Sequence, residues 1–259
     1  MCDILAACFS SEYRAPRTLH RFMIRSTKRG DIDGWGIGFF LRNRRAVVIK
    51  DAELRSEVKN ISKVFDFVAR SVESEIIVVH FRLASRKDLY GPKYAHPFSD
   101  VFLDSEWIFA HNGDAPEITR YTTRKRKIHS DPNFDSPRVF EYIRDRIQEY
   151  LDEHVAGSLY NAVRYAVNQL YSEYPNGTYN FVLANSNIVF FNLDGRHPRN
   201  NKLYLLYRRK SPRYEKAIIV TTVPNLTDEN WIVIGPRSGH RGKLLMFSEG
   251  ELLYHGDTG

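Results

Sequence analysis

The sequence predicts an α+β fold, packed sheets with helices on their outer faces, and three observations carry that reading. Strand-like segments crowd both ends of the chain, a helical block separates them, and no linker, low-complexity tract or internal repeat divides the 259 residues. With 42% apolar and 13% aromatic residues the chain can bury a substantial core, so one domain spanning residues 1–259 is expected.

Taken in order, Asp3–Phe9 is an apolar strand. Pro16 opens a helix to Ile24, in which Leu19, Phe22 and Met23 recur at helical spacing. Trp35–Leu41 and Ala46–Ile49 read as two strands around the basic turn RNRR. The segment Val58–Val72 puts Val58, Ile61, Phe65 and Val68 on one side of a helix, while Glu75–Leu83 and Trp107–Ala110 are apolar strands. Pro137–Leu151 and Gly157–Tyr174 form the helical block. From Thr178 onward strands return as YNFVLAN, NIVFFNL, KLYLLYR, KAIIVTT and NWIVIG, and KLLMFS with ELLYHG makes a short terminal pair.

Composition restricts the setting. The formal charge is +7, with basic clusters at Arg42–Arg45, Arg124–Lys127 and Tyr207–Lys210. These lie in separate segments without a recognisable RNA- or DNA-binding motif, so they read as a solvated surface or a field for anionic ligands, and nucleic acid is not the expected partner. Only Cys2 and Cys8 are present, too few for a disulfide framework, which fits a reducing cytoplasm. There is no signal-peptide pattern, and no apolar run approaches the roughly 20 residues that cross a bilayer. The expectation is a soluble cytoplasmic protein with no membrane partner. His80, His96 and His111 show neither HxxxH nor paired CxxC spacing, so no metal or other cofactor is expected; they brace strands and loops.

Four stretches and the second residue carry the chemistry. Cys2, in MCDILAACFS, has a plain account as a small buried hydrophobe at the start of a strand. GWGIGFF at 34–40 supplies glycines where backbone can approach a ligand, or a turn entering a strand. HFRLAS at 80–85 sets Arg82 at the end of an apolar strand, where a charge needs a partner or a carboxylate ligand. AHPF at 95–98 follows, then AHNGD at 110–114, whose Asn112-Gly113 pair taken alone is a tight turn.

Together, in this order and at these spacings, Cys2, GWGIGFF, HFRLAS, HPF and AHNG resemble the class II glutamine amidotransferases, whose catalytic domain belongs to the N-terminal nucleophile hydrolases. The later NFVLAN at 180–185 and the strand-rich tail extend the resemblance to the compact stand-alone members. It implies a four-layer αββα sandwich of two largely antiparallel sheets. It also implies hydrolysis of the side-chain amide of glutamine to glutamate and ammonia through a cysteinyl thioester. In that chemistry Cys2, exposed by removal of Met1, is the nucleophile and its own α-amine, with an unperturbed pKa of about 7.7–8.0, is the base.

By the same resemblance the Asn112 side chain and the Gly113 N–H form the oxyanion hole, Arg82 clamps the α-carboxylate and Asp135 meets the α-ammonium. Trp35 and Gly36 of the glycine-rich strand, with His96 shaping the substrate loop, complete the substrate-binding set. For Asp135 a helix N-cap at Asp135 or Ser136 is the alternative, and Asp131 and Asp114 are weaker choices for the same role. The polar segment between Arg86 and Tyr94, with Gly91-Pro92, reads as a cover over glutamine or as a purely structural loop. The chain departs from the family where proline follows Ser136 in place of a common acidic residue, and where VTTVPNLTDENW at 220–231 replaces a Ser-Glu-Pro-Leu-like strand. Because the amidohydrolase domain uses up the chain, either a separate synthase subunit receives the ammonia or the protein is a free-standing hydrolase of glutamine or another γ-glutamyl compound. The complete set Cys2, Arg82, Asn112 and Gly113 argues against a non-catalytic binding module.

Overall fold

The structure, a computed structural model, describes residues 2–28, 32–52, 58–83 and 88–259. Its first sheet is built from β1 (Asp3–Tyr13), β2 (Gly34–Phe40), β3 (Ala46–Asp51), β4 (Ser74–Arg82), β9 (Leu203–Arg208), β10 (Ala217–Thr221) and β11 (Ile232–Ile234). The spatial order is β11-β9-β10-β1-β4-β2-β3. The second sheet, in the order β13-β12-β8-β7-β6-β5, uses β5 (Phe98–Phe102), β6 (Ser105–Asn112), β7 (Asn180–Ala184), β8 (Val189–Asp194), β12 (Gly242–Ser248) and β13 (Glu251–Thr258). Every pairing among these strands is antiparallel.

β1 shows why the layers stack as they do. Strand side chains alternate between faces, and here both faces are apolar. Ile4, Ala6 and Cys8 point into the layer between the sheets, against Ile108, Val182, Phe191 and Leu245. Leu5, Ala7 and Phe9 point the other way, onto α1 (Pro16–Lys28) and α2 (Val58–Ser71) through Leu19, Phe22 and Phe65. On the far side, α3 (Asp135–Glu153) and α4 (Leu159–Glu173) bury Phe140, Ile143, Val163 and Leu170 against Phe109, Phe181 and Leu244. Phe109 and Phe140 stack with ring centroids 4.8 Å apart. Each such fully buried side chain contributes about 1.5–3 kcal/mol. Four layers, helices–sheet–sheet–helices, result.

The expected elements are present, with ends that shift by a few residues and one added strand. β1 continues to Tyr13 and α1 to Lys28, beyond the sequence-based ends, because the pairing of Tyr13 with Ser74 and burial of Ser26 extend each element. β5 has no counterpart in the sequence reading. It alternates buried and exposed residues through FSDVF and joins β6 through Leu103 and Asp104, both at positive φ (50° and 52°), without the Asn or Gly that usually marks such a turn. The Val58 and Ile61 side chains of the expected α2 face lie outside the described residues. No helix among the described residues is long and apolar enough to cross a membrane.

Candidate active site

The two sheets present strand ends to a common point. β1 starts beside the end of β4, since Asp3 pairs with Phe81, and this brings Cys2 against Leu83. The Leu83 N–H donates to Cys2 Sγ at 3.4 Å, and the thiol lies 3.6 Å from the Leu83 carbonyl. From the second sheet, β6 ends at Asn112, whose Nδ2 donates to the Cys2 carbonyl at 2.8 Å. Asn200, on the connection from β8 to β9, donates to the same carbonyl at 2.9 Å. A cavity of about 380 Å³ opens here, and Cys2, Arg82, His96, Asn112, Gly113 and Asp135 are all in its wall. A larger cleft of about 590 Å³, between Arg14, Arg17, Arg208 and Arg213, holds none of these residues.

Charge in the cavity is set by burial. Arg82 is 5% exposed, and among the described residues its Nη1 has no hydrogen-bond partner. Burial pulls its pKa down, against the raising effect of Cys2, Asp33 and Asp135. Burial also pushes the Cys2 thiol up, with the Leu83 N–H acting in the opposite sense, so the resting sulfur is a thiol. Asp135 accepts the Ala115 N–H on Oδ2 at 2.8 Å. It does not cap α3: Phe134 holds the cap position, and Asp135 is the first helical residue. Pro137 therefore falls in the first turn, where its missing N–H has no intrahelical partner to lose.

The histidines are neutral for the same reason. His80 donates from Nε2 to the His111 carbonyl at 3.2 Å, and burial brings its pKa down to about 3. His111 donates from Nε2 to the Thr178 carbonyl at 3.0 Å, leaving Nδ1 to accept the Ser136 hydroxyl at 3.0 Å; burial holds it below its ordinary range. The His96 ring sits 4.3 Å from that of His80, is held well below the usual imidazole range by burial, and has no partner on either nitrogen among the described residues. His197, in the cavity wall, accepts the Asn200 N–H on Nδ1 at 2.9 Å and has its pKa lowered to about 4 by burial.

Trp35 and Gly36 are not brought to the cavity wall. Trp35 packs edge-on against Phe65 at 5.3 Å in the core beneath α2, because its side of β2 is the helix-facing one. Gly36 serves a close approach: a Cβ there would stand 2.1 Å from the His96 carbonyl. Asp131 is engaged by Tyr94 Oη at 2.6 Å and lies outside the wall, whereas Asp114 lines it from an exposed position. Of the expected cover, Arg86 and Lys87 lie outside the described residues; Leu89 lines the cavity and Tyr94 is buried on Phe134 and His129. At the departing tail, Thr221 and Thr222 bond the backbone of Ile4 at 3.0 Å and hold the start of β1. Sequence reasoning missed His197 and Asn200, which sit in GRHPRNN, a segment without a recognised motif; Asn200 meets Cys2 across 198 positions of chain.

A family model for "Glutamine amidotransferases class-II" matches residues 1–258. The chain belongs to the class II glutamine amidotransferases. Membership implies chemistry on the glutamine amide, by hydrolysis or transfer. A Haemophilus influenzae protein named "Putative glutamine amidotransferase" is 22% identical over 246 residues, 85% of this chain and 75% of that protein. The crystal structure of a "predicted glutamine amidotransferase" from Pseudomonas aeruginosa superposes with a TM-score of 0.59 at 20% identity, covering 97% of this chain and 95% of that one. An allosteric regulatory enzyme of purine biosynthesis gives a TM-score of 0.65 at 14% identity; it covers 99% of this amidotransferase, which spans 49% of that longer chain. These likenesses are of fold.

Proposed function

We propose that this amidotransferase hydrolyses the side-chain amide of glutamine to glutamate and ammonia through a thioester on Cys2. The observation that carries the reading is the content of one cavity: a thiol, a buried guanidinium whose Nη1 has no partner among the described residues, and a carboxylate, in Cys2, Arg82 and Asp135. Arg82 suits an α-carboxylate and Asp135 an α-ammonium, which leaves the side-chain amide for the sulfur.

A buried thiol that is protonated at rest needs a base. Removal of Met1 gives Cys2 a free α-amine with a pKa of about 7.7–8.0. The amine takes the thiol proton, the sulfur bonds to the amide carbon, and the carbonyl oxygen becomes an oxyanion. One Asn112 N–H is committed to the Cys2 carbonyl, so its other N–H and the Gly113 N–H are the donors assigned to that oxyanion. Collapse breaks the C–N bond, and the ammonium returns its proton to the leaving ammonia. Water, deprotonated by the amine, then attacks the thioester and restores the thiol as glutamate leaves. Other γ-glutamyl amides fit the same three contacts, and ammonia either leaves freely or passes to a separate synthase.

The test uses the protein with a permanent N-terminal tag and the same protein after a protease exposes Cys2, both checked by circular dichroism. Glutamate release by the exposed form alone is expected, with a glutamine-shaped diazoketone labelling Cys2 and sparing Cys8, which is fully buried between the sheets. Equal turnover by both forms removes the α-amine from the mechanism. No turnover of any γ-glutamyl amide by the exposed form, with no label on Cys2, overturns the hydrolase reading.

A further inference from the structure

The Cys2 carbonyl is held by two carboxamides, and only one of them, Asn112, has a part in the chemistry above. We propose that Asn200 is a positioning residue for the nucleophile: its carboxamide fixes the Cys2 peptide plane and so sets the directions in which the Cys2 thiol and α-amine project. The inference rests on the reading of Cys2 as the nucleophile.

Both donors reach the carbonyl at normal hydrogen-bond length, Asn112 at 2.8 Å and Asn200 at 2.9 Å. A carbonyl oxygen has two lone pairs, so two donors use its full capacity. The two come from different elements. Asn112 ends β6, while Asn200 belongs to the connection that leaves β8. With a single donor the peptide can swing about that one bond; with two it has one orientation. This matters at a residue that, once Met1 is gone, keeps only one peptide bond, the one to Asp3.

Asn200 is itself held in place. It is 2% exposed, and its N–H donates to His197 Nδ1 at 2.9 Å. Its carbonyl accepts Asn180 Nδ2 at 2.6 Å, and Asn180 Oδ1 accepts the Asp194 N–H at 2.7 Å. The His197 N–H in turn donates to the Asp194 carbonyl at 3.1 Å. The clamp is thus rooted in β7 and β8 of the second sheet, whereas β1, which Cys2 leads into, belongs to the first. Asn200 also relieves Asn112. Without it the carbonyl rests on Asn112 alone, and any movement of Cys2 drags the amide assigned to the oxyanion.

Arg82 and Asp135 line the cavity as the groups assigned to the substrate, whereas Asn200 holds the Cys2 carbonyl, so substrate capture and nucleophile placement are read by different measurements. Misplacing reacting groups by 1 Å can lower a rate by about 100-fold. The experiment compares the processed protein with Asn200→Ala and with Asn200→Asp, which keeps the size of the side chain but turns an acceptor toward the carbonyl. Two quantities are measured on folded protein: the pH dependence of Cys2 alkylation by iodoacetamide, and pre-steady-state acylation by glutamine. Both variants are expected to displace the alkylation pH profile, and to slow acylation at least about tenfold with KM changed less than about threefold. If Asn200→Ala fails to fold, Asn200→Asp decides alone. A Cys2 alkylation profile equal to that of the parent, or a rise in KM with acylation unchanged, overturns the proposal. A displaced profile with no glutamine turnover in either parent or variant leaves the positioning role standing and removes the hydrolase reading instead.

Discussion

Replacing Arg82 by methionine separates the burden this residue places on the empty protein from its use to the substrate. The guanidinium is 5% exposed, its Nη1 has no partner among the described residues, and burial outweighs Cys2, Asp33 and Asp135 in the direction of its pKa. A buried donor left unsatisfied costs about 1–3 kcal/mol. Methionine fills similar volume without a polar group, and replacing buried charge by packed apolar atoms is often stabilising. Lost attraction to Asp33 and Asp135 offsets part of the gain, so the low end of the range applies, about 1 kcal/mol. For a chain of this size that raises the melting temperature by about 2–4 °C. Glutamine acts in the opposite sense. At 100 times its Kd it stabilises the arginine protein by about 2.7 kcal/mol and leaves the methionine variant where it was. Melting curves with and without glutamine, in a Cys2→Ala background that prevents turnover, measure both effects. A methionine variant that melts below its parent, or that keeps the glutamine-dependent rise, refutes the reasoning.

Two further outcomes follow from contacts already described. In Gly113→Ala the new Cβ would lie 1.8 Å from the Thr178 carbonyl and 2.5 Å from His111 Nε2, so the β6 end must move; kcat/KM for glutamine is expected to fall about 100-fold or more, and near-normal turnover contradicts the assignment of this backbone. Stability should fall with acid through the buried histidines: His80 and His197 have folded pKa values lowered to about 3 and about 4, below an unfolded value of about 6.5. The unfolded chain then holds more protons, so their contribution is complete above about pH 6.5 and is lost as the pH falls toward those folded values. His80→Asn should flatten the fall between pH 6.5 and 4, and parallel denaturation curves for the two proteins would show that His80 is not its source.

The layers were legible because the strands carry their burial pattern in their composition. Asp3–Phe9, YNFVLAN and NIVFFNL are apolar on both faces, and such strands need cover on both sides. β5 was not legible: its five residues include Asp100, whose carboxylate accepts from Arg144 of α3 at 2.5 Å, and its turn is made by Leu103 and Asp104. At the site, Arg82 announced itself as a charge ending an apolar strand. Asn200 gave no signal, since its meaning arises from one carbonyl near the other end of the chain. Trp35 shows the opposite error: it belongs to a glycine-rich motif beside the cavity, yet strand alternation turns it into the helix-facing core. Nearness in sequence to Gly36 does not set the side of the sheet on which a ring lies.

β1 is gripped by β4 on one side and β10 on the other, with alternate residues committed to two different cores. This turns the spacing between Cys2 and Asp3 into a machined dimension. An in-frame triplet inserted there, harmless at most frayed chain ends, advances the sulfur by about 3.3 Å along the strand axis and carries it past the Leu83 amide. The strand cannot slide back to compensate, because a one-residue slip would trade Leu5 and Phe9 for Ile4 and Cys8 in the two layers at once. The tolerance on that dimension is smaller than one codon, so a genetic change that alters no side chain in the cavity can still take the Cys2 sulfur out of register with Leu83 and Asn112.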